Sequence, residues 1–177
     1  LHFDHAGGNT LRNEAGSVIP AFPNARYVMQ RGELEFAASP NERVAASYMK
    51  KNYAPLVEAG LVDMVEGVTD LLEGITLLPT PGHTPFHQSV LLESGGEKAI
   101  FLADLCPTSA HLPLPWIMGY DLEPLVTLET KKVLWERVRE EGWILLFQHD
   151  PRVPWGRLAP AGEKPLLQPL RGDSPEG

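Results

Sequence analysis

Four short stretches of this chain carry residue types that hold divalent metal ions. They are His2-Phe3-Asp4-His5 at the start, Pro81-Gly82-His83 in the middle, Asp104 at the end of an apolar run, and His149-Asp150 near the finish. Imidazole and carboxylate are the ligands of zinc and similar cations. Three of the four stretches follow a strand-like run. That repeated placement suits ligands that must converge on one point from separate elements, and it makes a metal-dependent hydrolase the leading reading.

Each stretch has its own logic. His2, Asp4 and His5 fall within four positions, so a tight turn can aim them to one side, toward two adjacent ions. Gly7 and Gly8 follow and permit backbone that a Cβ would block. His83 ends an extended run at a Pro-Gly turn. His87, four residues on but beyond Pro85, reads as a structural hydrogen-bonding histidine. Asp104 follows Ala99-Ile100-Phe101-Leu102-Ala103, where a carboxylate is costly unless it is neutralised. His149 follows Ile144-Leu145-Leu146-Phe147. Asp150 would either orient His149 or start an Asp-Pro turn.

The elements that must position these groups can be read in outline. Residues 7–22 are Gly- and Asn-rich and read as loop or short helix. Strands are expected at 25–30, 61–65, 74–80, 88–93, 98–103 and 143–147. Helices are expected at 31–38, from Asn41 as N-cap, and at 125–141. The last carries Leu128, Val133, Leu134, Trp135 and Val138. The segment from Pro107 to Pro124 holds four prolines and the apolar residues Leu112, Leu114, Trp116, Ile117 and Met118. Such a segment cannot run as a helix or central strand, and it is long enough to be a functional loop. His111, Trp116 and Tyr120 on it are candidate substrate contacts. The loop equally admits a core contact or a homodimer contact. A terminal hairpin is expected around Ala161-Gly162-Glu163, then a frayed tail over 171–177. Strands mixed with helices point to a layered α/β or α+β fold.

Bulk properties narrow the class. The chain has 177 residues, 43% of them hydrophobic and 21% charged, and a formal charge of −8. This is the size of one domain, taken as 1–170. The acidity disfavours a nucleic-acid partner, and no run reaches the roughly 18 apolar residues of a membrane helix. No leader is visible. The single Cys106 excludes an internal disulfide and suits a reducing cytoplasm. The ligand-rich opening reads as the interior of a longer protein.

In this order the motifs resemble the metallo-β-lactamase superfamily, over Leu1 to about Leu170. Its pattern is His-x-His-x-Asp-His, a distant His, a bridging Asp and a final His. His2 to His5 match the first motif apart from its opening His, which would precede Leu1. The resemblance implies an α+β fold, a four-layer αββα sandwich, here lacking the opening strands of its first sheet. It implies one metal on the preceding His, His2 and His83, a second on Asp4, His5 and His149, and Asp104 as bridge. The ions would be zinc, and iron or manganese suit the same donors. A hydroxide shared by both metals would be the nucleophile, with Asp4 shuttling a proton. The substrate would be a small ester, lactone, thioester or phosphotriester. The alternative on the same fold is a single-iron persulfide dioxygenase-like oxidoreductase. Phe3 and Ala6-Gly7-Gly8-Asn9 look similar to the lactonase, organophosphate-hydrolase and thioesterase-like branches. Leu105-Cys106-Pro107 stands where the branch that opens acyl-homoserine lactones often has a Tyr.

Overall fold

A computed structural model of the protein describes residues 1–160, 162 and 166–170. The chain forms two compact units, Leu1–Glu66 and Gly67–Gly177.

The first unit opens with one helical turn, α1 (Phe3–Ala6), and a 3-10 turn at Gly7–Asn9. Residues 10–20, expected as loop or short helix, instead form a hairpin of β1 (Thr10–Arg12) and β2 (Val18–Pro20), paired Thr10 to Pro20. Its turn is held by Ser17, whose N–H donates to Asn13 Oδ1 at 2.9 Å. Three-residue strands are too short to leave a period-two pattern in sequence. β3 (Tyr27–Gln30) runs parallel to β4 (Val62–Val65). The expected helix α2 (Arg31–Ala38) follows β3 directly.

The helix expected from Asn41 does not form. Asn41 does accept from the Arg43 N–H through its side chain, at 3.1 Å, but residues 42–47 stay in turns. The buried residues Val44, Tyr48, Tyr53 and Leu56 explain this. The interval of five between Tyr48 and Tyr53 does not fit one helical face. The backbone turns extended at Met49 and restarts in a 3-10 turn, Lys50–Asn52, and α3 (Ala54–Glu58).

The second unit is built on a seven-stranded mixed sheet. Its strands are β5 (Thr69–Leu72), β6 (Ile75–Pro79), β7 (Gln88–Ser94), β8 (Glu97–Phe101), β9 (Ile144–Leu146), β10 (Trp155–Leu158) and β11 (Leu167–Pro169). They lie side by side in reverse chain order, from β11 to β5. Every neighbouring pair is antiparallel except β8 and β9. Parallel strands need a long crossover. Here it is the Pro-rich loop followed by α4 (Pro124–Glu141), with Pro at the helix start and Gly142 in left-handed conformation at its end.

Leu91, Ile100, Leu145 and Phe147 from the sheet region pack with Leu134, Trp135 and Val138 of α4, and with Leu105, Cys106 and Leu112 of the loop. Val133, expected on α4 among its apolar residues, is exposed; Thr127 and Lys131 are buried instead. The edge strand β5, not anticipated, is short and mostly exposed. β10 and β11 form the expected terminal hairpin. Of its turn only Gly162 is among the described residues, and the expected tail from Arg171 lies outside them. Among the described residues no helix is long and apolar enough to cross a membrane.

Candidate metal centre

In the second unit, three of the expected ligands meet. β6 runs into the Pro81-Gly82-His83 turn, β8 into a 3-10 turn at Ala103–Leu105, and β9 into the His149 loop. Asp104 therefore sits three residues past the strand rather than at its end, and Ala103 before it has a φ of 46°. A non-glycine residue there is strained, which fits a turn shaped to aim its neighbour. Asp104 is 7% exposed. Its Oδ2 lies 3.2 Å from His83 Nε2, and its Oδ1 lies 3.2 Å from His149 Nε2. One carboxylate thus presents an oxygen to each of two imidazoles. That donor set suits a divalent cation, which would satisfy the nitrogens and offset the buried charge.

His83 is held in place from behind. Its Nδ1 lies 2.9 Å from Asp121 Oδ1, and Asp121 Oδ2 accepts from the Thr127 hydroxyl at 2.6 Å. A carboxylate on Nδ1 leaves Nε2 as the outward-facing nitrogen. Burial pulls the His83 imidazolium down, but the bonds to Asp104 and Asp121 outweigh it and lift it to about 9. The site thus favours positive charge between its two carboxylates.

The turn needs Gly82. Its φ is +136°, and a Cβ would lie 2.3 Å from Thr127 Oγ1. The same turn is tied to the start of α4: the Glu123 N–H donates to Gly82 O at 2.9 Å and the Thr130 hydroxyl to Pro81 O at 2.8 Å.

His87 has the structural role expected for it. The Asp104 N–H donates to its Nε2 at 3.2 Å, and its Nδ1 lies 2.8 Å from Thr80 Oγ1. Asp150 proves to be a turn residue. Its carboxylate accepts from the N–H and hydroxyl of Ser109 and from the N–H groups of Arg152 and Val153, at 2.5–3.0 Å. Those bonds overcome the opposing effect of burial and hold it well below the usual carboxylate range.

The three candidate substrate contacts sit in different settings. His111 Nδ1 lies 2.8 Å from Thr108 Oγ1. Trp116 and Tyr120 are 60% and 79% exposed. Cys106 is buried, which pushes its thiol up to about 12.

The first unit carries the other expected ligands on one turn. The N–H groups of His5 and Ala6 donate to His2 O at 3.1 and 2.9 Å. Asp4 Oδ2 lies 3.6 Å from His5 Nε2. The His2 ring packs edge-on against Tyr48, with centroids 4.8 Å apart, and Tyr48 OH donates to Glu33 Oε1 at 3.0 Å.

Asp121, Thr127 and Lys131 were not among the expected site residues. For Lys131 a signal existed. Positions 131, 134, 135 and 138 make an i, i+3, i+4, i+7 set, so the spacing alone puts this lysine on the buried face.

Comparison with known proteins agrees with the geometry. The model of the metallo-beta-lactamase superfamily matches residues 1–155. An N-acyl homoserine lactonase of Bacillus sp is 35% identical over 153 residues, covering 85% of this chain and 53% of that protein. The crystal structure of a probable metal-dependent hydrolase from Staphylococcus aureus matches with a TM-score of 0.85 and 28% identity, over 98% of this chain and 60% of that one. An N-acyl homoserine lactone hydrolase, solved with the product N-hexanoyl-L-homoserine at its catalytic metal centre, matches with a TM-score of 0.61 and 30% identity, over 74% of this chain and 49% of that one. The chain spans about half the length of the curated lactonases it matches. Its motifs, its fold and the residues matched place it in the metallo-β-lactamase superfamily.

Proposed function

We propose that the protein is a metal-dependent hydrolase that opens the ring of an N-acyl homoserine lactone. The observation that supports this most is the His83–Asp104–His149 arrangement, in a chain 35% identical to a lactonase. In this reading His2, Asp4 and His5 supply the remaining donors, around a pair of zinc ions. Once bound, the ions polarise the lactone carbonyl and acidify the attacking water.

The protein's own groups do the rest. Asp121 fixes the His83 tautomer, so Nε2 stays a ligand rather than an acid. His87 and the Ala103 turn hold Asp104 at one orientation, which keeps its two oxygens aimed at different partners. Asp4 is exposed on its turn, and in this reading it carries the proton. It receives the proton lost by water as oxygen adds to the carbonyl. It returns that proton to the ring oxygen as the C–O bond breaks, leaving N-acyl homoserine. His111, Trp116 and Tyr120 would contact the amide and acyl portion. Leu105-Cys106-Pro107 carries no tyrosine hydroxyl to donate to the carbonyl oxygen, and bound cations would polarise that oxygen instead.

The same reading carries the αββα layering of a single catalytic domain over 1–170, and a reducing cytoplasm for the Cys106 thiol. A homodimer contact through the Pro-rich loop stays compatible with it.

The test is a substrate panel on zinc-loaded full-length protein. N-hexanoyl- and N-decanoyl-homoserine lactones should be hydrolysed in preference to thioester, aryl ester and phosphotriester. Turnover of another class with the lactones untouched would move the protein to a different branch. Bound iron with persulfide-dependent oxygen uptake would replace the hydrolase reading altogether.

A further inference from the structure

Lys131 is fully buried in the middle of α4. Its Nζ donates to the carbonyl oxygens of His111 at 2.6 Å, Pro113 at 2.8 Å and Trp116 at 3.1 Å, with Leu114 O at 3.4 Å. All four acceptors come from one six-residue stretch of the Pro-rich loop. Pro113 and Pro115 have no N–H, so this stretch cannot satisfy its carbonyls by regular secondary structure. A shell made of acceptors fits an ammonium with three N–H groups; a neutral amine would turn its lone pair on an oxygen.

The lysine is one of a row. Thr127, Lys131 and Trp135 lie at i, i+4 and i+8 on one buried face of α4. Trp135 Nε1 donates to Leu112 O at 3.0 Å, beside the Lys131 acceptors. Thr127 donates to Asp121 at the far end of the same loop, and Asp121 meets His83. One helix face therefore grips the loop at two places: Lys131 and Trp135 hold the backbone of the 111–116 stretch, and Thr127 is linked through Asp121 to the His83 ring.

We propose that Lys131 is a positioning residue: its ammonium fixes the 111–116 backbone so that the loop presents its side chains to the acyl part of the substrate. This rests on the lactonase reading for its substrate, though not for the structural tether. Lys131 acts on the binding wall and Asp121 on the metal ligand, so their loss should be felt in different constants.

In full-length protein, Lys131→Met should raise KM for N-hexanoyl-homoserine lactone by about tenfold or more, the scale of orphaned buried acceptors. Metal content should stay unchanged and kcat within about twofold. Lys131→Gln keeps two N–H donors and should fall between. Lys132→Met, a change at the exposed neighbour that pairs with Glu129 at 2.7 Å, should behave as wild type. Folded Lys131 variants with wild-type KM, or with kcat and metal lost together, would overturn the proposal.

Hydrogen exchange covers the other cases. In the unaltered protein the Leu112, Trp116 and Asp121 amides should be protected, and in Lys131→Gln the Leu112 and Trp116 amides should exchange faster. Exchange at unstructured-peptide rates in the unaltered protein would overturn the proposal even if no variant folds. If the wild type hydrolyses no lactone, the functional reading fails while this exchange result still decides the tether.

Discussion

His83 and His149 flank the same carboxylate from opposite surroundings. The His83 side chain is 5% exposed and holds a carboxylate at each ring nitrogen. The His149 side chain is 38% exposed, and the acid next to it in sequence serves the backbone instead. The fold thus prepares one imidazole in advance and leaves the other open to solvent. The difference also separates two kinds of support. Asp150, a chain neighbour, shapes the loop that carries His149. Asp121, 38 residues from His83, orients the ring itself.

If His83 is prebuilt, its turn should tolerate least. Gly82→Ala puts a Cβ within 2.5 Å of the Thr127 Cα and N. It should cost more than about 3 kcal/mol, read as a fall in the urea midpoint. Gly119→Ala, with open space around it, should stay within about 0.5 kcal/mol. A mild Gly82→Ala would mean the turn is not fixed in the way described.

Asp121→Asn removes the ring's acceptor charge while keeping its shape. It should weaken zinc binding by about 10- to 100-fold with the fold retained, as measured by competition with a chelator. Asp150→Asn should leave zinc affinity within about threefold, because that acid does not orient His149. Equal losses in the two variants would erase the contrast between the histidines.

The smallest effect concerns Asp150 and pH. Its carboxyl is held below its ordinary value in the folded protein. A depressed carboxylate contributes stability that is present above the unfolded pKa of about 3.9 and is lost as pH falls further. Wild type should exceed Asp150→Asn by about 1 kcal/mol near neutrality. Urea midpoints at neutral pH and near pH 2.5 should show that gap narrowing on acidification; a gap that widens would contradict the assignment.

The site was legible where local sequence decides it. A strand-like run followed by a ligand marked His83, Asp104 and His149, and the structure brings the three together. β6, β7, β8 and α4 were equally legible, because each is a run of five or more residues set off by Gly or Pro. The hairpin at 10–20 was missed because its strands are short, and the helix from Asn41 failed because Tyr48 and Tyr53 sit five apart. Asp121 could not be found in the same way: its partner is set by tertiary packing, and nothing in Tyr120-Asp121-Leu122 marks it. Lys131 could have been found from helical spacing, but a lysine is read as solvent-facing by default.

Asp104 stands between two imidazoles, where in the proposed site it would bridge the metals. The most direct measurement is metal content by mass spectrometry in full-length wild type and Asp104→Ala, after zinc loading and exhaustive dialysis. The account expects about two ions per chain in wild type and fewer than about one in the folded variant. Equal, tightly held zinc in both would contradict it.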